Sequence, residues 1–320
     1  MKIFRPTALT FFFLLALTIL PNGIYAKGKI NLDYDGKADL LLYRRSTGTW
    51  YGYGSETGSY FQVQWGISTD SAVAADYDGD GITDVAVFRP ETGVWYIRRS
   101  IDGRMFAVQW GLSSDALVPA DYDGDGQTDI AVYRPSNGIW YILTSSSGYN
   151  PRYYDTRALI PPDVPISQVN PVPADYDNDD KVDYAVKFNS IWYIRNSDSG
   201  TMRAINLGCD IAYLAPADYT GDGMEEPGCI YAQHDVTYQW RYMRSQNNQL
   251  VTFPWGQGQY DDRPVPDDYD NDGHTDYAIY RNGQWWIFLS TTQRPLVYTF
   301  GLGEDTPAQY SRLRLNYLGG

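Results

Sequence analysis

Short apolar and aromatic runs, separated by turns rich in Gly, Asp and Pro, recur in the same order along most of the chain. One unit shows the order. Ala72-Val73-Ala74-Ala75 leads into an acidic stretch, then come Asp84-Val85-Ala86-Val87-Phe88, a turn at Pro90-Glu91-Thr92-Gly93, Val94-Trp95-Tyr96-Ile97, a second turn at Asp102-Gly103, and the run from Met105 to Trp110. Runs of this length and composition read as strands, and the 3.6-residue period of a helical solenoid is missing. Each unit therefore predicts four strands.

The tripeptide Asp-Tyr-Asp opens the acidic stretch at Asp33, Asp76, Asp121, Asp175 and Asp268, with Asp-Tyr-Thr at Asp218; successive copies lie 43, 45, 54, 43 and 50 residues apart. Four strands in such a period make a β-propeller blade. A lone four-stranded sheet cannot bury its faces, so the sheets stack around an axis with aromatics between them. The expected fold is all-β: one propeller domain over 27–320, of six four-stranded blades rather than seven, with repeats starting near 29, 72, 117, 171, 214 and 264. Two segments compete to close the ring beside the first blade, an opening strand at Lys29 to Asp33 and the tail Ser311 to Tyr317. In the longest repeat, Tyr149 to Pro173 reads as a Pro-rich loop replacing a simple strand, either a binding loop or a tolerated insertion.

The acidic stretches carry the chemistry. In the second repeat Asp76, Asp78, Asp80 and Asp84 occupy positions 1, 3, 5 and 9 of a loop with Gly81 at position 6. Hard Ca²⁺ takes six to eight oxygens, which this spacing supplies with the Ile82 carbonyl as a backbone ligand. Four crowded carboxylates repel one another without a cation. The pattern recurs as Asp121, Asp123, Asp125 and Asp129 with the Gln127 carbonyl, as Asp175, Asp177, Asp179 and Asp183 with that of Lys181, and as Asp268, Asp270, Asp272 and Asp276 with that of His274. Asp180 takes the glycine position in the fourth loop, a turn Asp tolerates better than most residues. An EF-hand is excluded, since position 12 of the second loop is Val87 in a β run rather than a bidentate Glu. The expectation is about four structural Ca²⁺ sites between the first two strands of blades. The fifth loop, with Asp218, Thr220, Asp222 and Glu226, is expected to bind weakly; the first, read from Asp33 to Asp39, is two residues short, carries Lys37, and is not expected to bind.

Val118-Pro119-Ala120-Asp121-Tyr122-Asp123-Gly124-Asp125-Gly126, followed by Asp129-Ile130-Ala131-Val132-Tyr133-Arg134, resembles the FG-GAP or VCBS repeat of bacterial secreted proteins, the repeat type of the integrin α-subunit propeller. The resemblance runs from about Gly28 to Gly301. It implies a Ca²⁺-stabilised propeller used in adhesion, in carbohydrate binding or as a non-catalytic module, and fixes no ligand.

Composition narrows the partners. The 320 residues are 43% hydrophobic and 20% charged, which excludes a disordered chain; 39 acidic against 25 basic residues give a net charge of −14, the wrong sign for nucleic acid. Lys2 and Arg5 precede an apolar run from Thr7 to Leu20, then Pro21 and Ile24-Tyr25-Ala26, the layout of a signal peptide over 1–26. The run is too short for a bilayer span, and no later segment is apolar enough, so the mature chain is expected to be secreted, periplasmic or on the cell surface. In that setting Cys209 and Cys229 are expected to form a disulfide.

Trp50, Trp95, Trp140, Trp192, Trp240 and Trp285 share one strand position, and Trp65, Trp110 and Trp255 precede Gly at the end of another, where Phe300 stands in the last repeat. A ring repeated in every blade reads as packing between blades rather than as a sugar platform. Arg44, Arg89, Arg134 and Arg281 close the second strand of four blades and await either an acidic ligand or neighbouring carboxylates. Against an enzyme stand the presence of only His234 and His274 and the use of most Asp in the loops; Glu56, Glu91, Asp163 and Asp235 are the carboxylates left for glycoside hydrolysis. The sequence therefore points to a calcium-binding propeller that binds a glycan or, second, an extracellular protein, with a structural module and a polysaccharide-cleaving enzyme as the alternatives.

Overall fold

The computed structural model describes residues 28–210, 213–232, 237–260 and 262–309. The expected signal peptide, the tail Ser311 to Tyr317, and His234 and Asp235 lie outside them.

Six four-stranded sheets form among the described residues. The second blade pairs Ser71–Ala72, Val85–Arg89, Val94–Arg98 and Met105–Gln109 in chain order, each antiparallel to the next. The third to sixth blades repeat this order, beginning at Ala116–Leu117, Asn170–Pro171, Tyr213–Leu214 and Arg263–Pro264. Burial follows strand order. The second strands, such as Leu40–Arg44 and Val85–Arg89, are apolar throughout and buried on both faces up to their last residue, because neighbouring blades cover both sides. The fourth strands, such as Tyr60–Gln64 and Met105–Gln109, alternate exposed and half-buried residues and form the outer wall.

Among the described residues the chain ends close the ring through a strand that lies in neither of the two segments named from the sequence. Thr306–Pro307 pairs with Leu40–Arg44, giving the first blade its first strand from the C-terminal side and its other three from the N-terminal side. Lys29 to Asp33 forms no strand and belongs to the first acidic loop instead. Asp305, just before the closing strand, accepts from Arg44 Nε and Nη2 at 2.7 and 2.8 Å. Arg89 with Asp70 and Arg134 with Asp115 make the same bidentate pair at 2.8–3.0 Å, and Arg281 pairs with Asp262. These arginines therefore take neighbouring carboxylates.

The six tryptophans of the third strands are buried and pack between the sheets as expected. Trp50, Trp95, Trp240 and Trp285 each donate the indole N–H to a main-chain carbonyl, of Trp65, Trp110, Trp255 and Phe300 respectively, at 2.8–3.1 Å. In the third blade the acceptor is the buried Thr156 hydroxyl, at 3.1 Å. The segment read as a Pro-rich loop contains the fourth strand itself, Asn150–Asp155; the inserted residues follow it, and Leu159, Ile160 and Val169 pack into the core. Apolar residues among the prolines give the insertion its own anchor.

Cys209 and Cys229 are bonded. Cys209 follows the fourth strand Met202–Asn206 of the fourth blade, and Cys229 lies in Gly228–Ala232 of the fifth. The bridge thus ties neighbouring blades together.

Candidate metal centres

In the second to sixth blades the acidic loop connects the first strand to the second; in the first blade it directly precedes the second strand. A single bridge at its base, such as Asp84 N–H to Ala75 carbonyl at 2.8 Å, sets its width. Within the loop, the first-position carboxylate collects main-chain N–H groups: Asp76 accepts from Gly79 at 2.7 Å and Gly81 at 2.8 Å, and Asp121 from Gly124 at 2.6 Å and Gly126 at 2.8 Å. Positions 4 and 6 must take positive φ to present those N–H groups. Gly79 and Gly81 do so at 77° and 82°, and Asn178 and Asp180 at 59° and 68° in the fourth loop.

The ninth-position carboxylate is the most buried member. Asp84, Asp129, Asp183, Glu226 and Asp276 are fully buried, and one oxygen of each accepts the N–H of the position-2 tyrosine at 2.8–3.0 Å. The other oxygen accepts from a serine that the motif search passed over: Ser100, Ser145, Ser197, Ser245 and Ser290 donate their main-chain N–H at 2.6–3.3 Å. Burial raises Asp84, Asp129, Asp183 and Asp276 to a pKa of about 7, against the downward pull of these hydrogen bonds. The serine was visible in the sequence, standing five residues after the third-strand tryptophan in every repeat, from Trp50 and Ser55 to Trp285 and Ser290.

Carboxylate oxygens of positions 1, 3 and 9 come within 4.8 Å of one another in the second, third and fourth loops, and those of Asp218, Asp222 and Glu226 in the fifth. These clusters could hold metal ions. The fifth-position aspartates Asp80, Asp125, Asp179 and Asp222 stand beside them and accept the serine hydroxyl at 2.5–2.9 Å. At position 3, Oδ1 of Asp78, Asp123, Asp177 and Asp270 is buried and has no hydrogen-bond donor. Thr220 fills that place in the fifth loop and donates to Glu226 at 2.7 Å. The side chains of Gln127, Lys181 and His274 lie against the neighbouring loops' glycines, so close that a Cβ on Gly79, Gly124 or Gly221 would come within 2.8 Å of them.

The first loop requires a correction. Its frame begins at Asn31, two residues before the Asp-Tyr-Asp tripeptide, and it has the full nine residues from Asn31 to Asp39. Tyr34 N–H donates to Asn31 Oδ1 at 2.9 Å, Lys37 N–H to Asp35 at 2.8 Å, and Leu32 N–H and Ser55 N–H to Asp39 at 2.6 Å each. These are the bonds of positions 4→1, 7→5, 2→9 and serine→9 in the other loops. Tyr34 and Gly36 have the positive φ of positions 4 and 6, at 66° and 83°. Asp33 thereby becomes the third-position residue, and its Oδ1 is buried without a donor like its four counterparts. Asp33, Asp35 and Asp39 group within the same 4.8 Å, and Lys37 turns away to pair with Glu56.

The loops form a closed ring. The position-8 N–H of each donates to the position-1 carbonyl of the loop before it: Thr83 to Asn31, Thr128 to Asp76, Val182 to Asp121, Glu225 to Asp175, Thr275 to Asp218 and Ala38 to Asp268, all at 2.7–2.8 Å.

The comparison with known families meets the chain at this loop and its strands. Residues 76–132 match the FG-GAP-like repeat. The other blades repeat the same plan of strands and acidic loop. No curated protein matches the sequence. Similar solved structures include a mutant of AofleA from Arthrobotrys oligospora with three arginines replaced by alanine, at 11% identity and TM-score 0.54, covering 89% of this chain and 90% of that one. An Agrocybe aegerita lectin that recognises non-reducing terminal N-acetylglucosamine aligns at 13% identity and TM-score 0.51, over 85% and 79%. A catalytically inactive virginiamycin B lyase from Staphylococcus aureus, bound to quinupristin, aligns at 9% and 0.51, over 87% and 86%. At such identities the likeness is one of fold.

Proposed function

We propose that the protein is an exported propeller whose acidic loops each bind Ca²⁺ as a structural ion, and that the stiffened disc acts as a non-catalytic binding module, with a glycan as the first-choice ligand. The observation that carries the metal reading is the third-position Oδ1 of Asp33, Asp78, Asp123, Asp177 and Asp270, buried without a donor in five loops. A buried carboxylate oxygen without a donor is costly unless a cation takes it. All the donors in the loops are hard oxygens, the set Ca²⁺ prefers. In the second loop Asp76, Asp78, Asp80, Asp84 and the Ile82 carbonyl would hold the ion, which supplies charge compensation and cross-links the loop.

The lectin of the same fold supports a glycan over a protein ligand. Export is supported by the leader-like first 26 residues and by the disulfide. Among the described residues no helix is long and apolar enough to cross a membrane. The same propeller fold carries lyase chemistry elsewhere, so an enzyme is the second reading. Calorimetric titration of the metal-stripped protein with Ca²⁺ and with Mg²⁺ tests the metal reading, and binding to a panel of neoglycoproteins tests the ligand; heat with Ca²⁺ but no sugar bound would leave a structural or protein-binding propeller.

A further inference from the structure

Three notches between neighbouring blades share one chemistry that the metal loops do not use. Between the first and second blades a cavity of about 170 Å³ is lined by Trp65, Gly66, Val87, Arg89, Tyr96 and Met105. Between the sixth and first a cavity of about 300 Å³ is lined by the equivalent Phe300, Gly301, Arg44 and Tyr51, with Tyr60 and Leu302. Between the second and third blades Trp110, Arg134 and Tyr141 stand at the equivalent positions, with the Trp110 and Tyr141 rings edge to face. In each, the guanidinium lies 4.3–4.6 Å from the centre of its tyrosine ring. A fully buried aspartate side chain grips its Nε and Nη2. The rims are apolar and exposed: Tyr60, Met105 and Tyr153 on the fourth strands, and Ile67, Leu112 and Leu302 just after the notch glycine.

We propose that these three notches are binding sites for a neutral pyranose, an inference that rests on the glycan reading above and says where the ligand sits. The buried aspartate neutralises the arginine, so an anion gains little there. The guanidinium has five N–H donors, and the aspartate takes the Nε–H and one on Nη2, which leaves donors for ligand hydroxyls. Trp65, Phe300 and the exposed Met105 and Tyr60 offer the flat, weakly polar surface on which the C–H face of a sugar ring packs. The remaining two interfaces between consecutive blades around the fourth lack the arginine, since Phe188 and Ala232 end those second strands. Between the fifth and sixth blades the arginine is present and Trp286 takes the place of the tyrosine, 5.8 Å from the Arg281 guanidinium, but Tyr260 lies closer, at 4.7 Å, so the chain's own Tyr260 occupies that notch.

The test uses the full chain in Ca²⁺. Neoglycoproteins bearing glucose, galactose, mannose, N-acetylglucosamine or fucose are screened, and the monosaccharide that binds is titrated calorimetrically. Three equivalent sites per chain are expected. Met105→Glu and Tyr60→Ala change exposed rim residues; each is expected to remove one site without shifting the melting temperature, and Tyr260→Ala to open a fourth. Sugar binding with unchanged stoichiometry in Met105→Glu and Tyr60→Ala would overturn the location while the glycan reading stands; no binding by any of the five probes would overturn both.

Discussion

The Tyr34 amide donates to Asn31 Oδ1 at 2.9 Å as the Gly79 amide donates to Asp76 Oδ1 at 2.7 Å, which puts the first loop in the same nine-residue frame as the second. Asparagine offers a neutral oxygen where the other loops have a carboxylate, so this site keeps three carboxylates, Asp33, Asp35 and Asp39. The expected stoichiometry is five Ca²⁺ bound well, in loops one to four and six, with a weaker sixth in the fifth loop, where Thr220 replaces the third carboxylate. The double variant Asp33→Asn with Asp39→Asn should remove one equivalent by elemental analysis after dialysis. An unchanged count would mean that the first loop does not bind.

The ring of main-chain bonds links these sites. Thr128 N–H donates to the carbonyl of Asp76 at 2.7 Å, and Thr128 directly precedes the ninth-position Asp129 of its own loop. A cation that fixes one loop therefore fixes half of a hydrogen bond on each side, lowering the ordering cost for the neighbours. Ca²⁺ titration is expected to be steeper than independent sites allow. Disabling the third loop with Asp123→Asn should weaken the second and fourth more than the sixth, as read by calorimetry.

The third-strand tryptophans separate packing from hydrogen bonding. Trp95 Nε1 donates to the Trp110 carbonyl at 2.8 Å, whereas the buried Trp192 Nε1 has no acceptor. Trp95→Phe is expected to cost about 1–3 kcal/mol more than Trp192→Phe, through the carbonyl left unpaired. Denaturant unfolding of the two variants measures the difference.

Closure of the ring rests on a few residues far apart in sequence. Removing residues 306–320 takes away the strand that pairs with Leu42 and Tyr43 and exposes the buried edge of the first blade. That truncation is expected to abolish cooperative unfolding, whereas removing only 311–320 leaves Thr306–Pro307 in place and should cost much less. Thermal scans of both proteins distinguish this closure from one made by the tail.

Much of this architecture was legible because each blade repeats the same period, and six copies averaged out the ambiguity of any one. The errors fell where the repeat breaks. In the first copy the tripeptide Asp33-Tyr34-Asp35 sits two residues late: Leu32, not a tyrosine, takes position 2, and the exposed Tyr34 takes position 4. The spacing from Asp39 to Trp50 matches that from Asp84 to Trp95 and would have set the frame correctly. The six serines were missed because a main-chain N–H donor leaves no charge or metal-ligand signature, although their spacing from the tryptophan was constant. Closure by Thr306–Pro307 was illegible for another reason: a two-residue strand carries no periodicity, and only the Arg44–Asp305 pair marks it.

The central claim is that cations in the acidic loops hold the disc together, and melting of the purified protein in Ca²⁺ and in EGTA tests it most directly. A ligand at about 1,000 times its Kd stabilises the folded state by about 4 kcal/mol per site, so several filled loops should raise Tm by at least about 10 °C. Superimposable melts in Ca²⁺ and EGTA would contradict the claim.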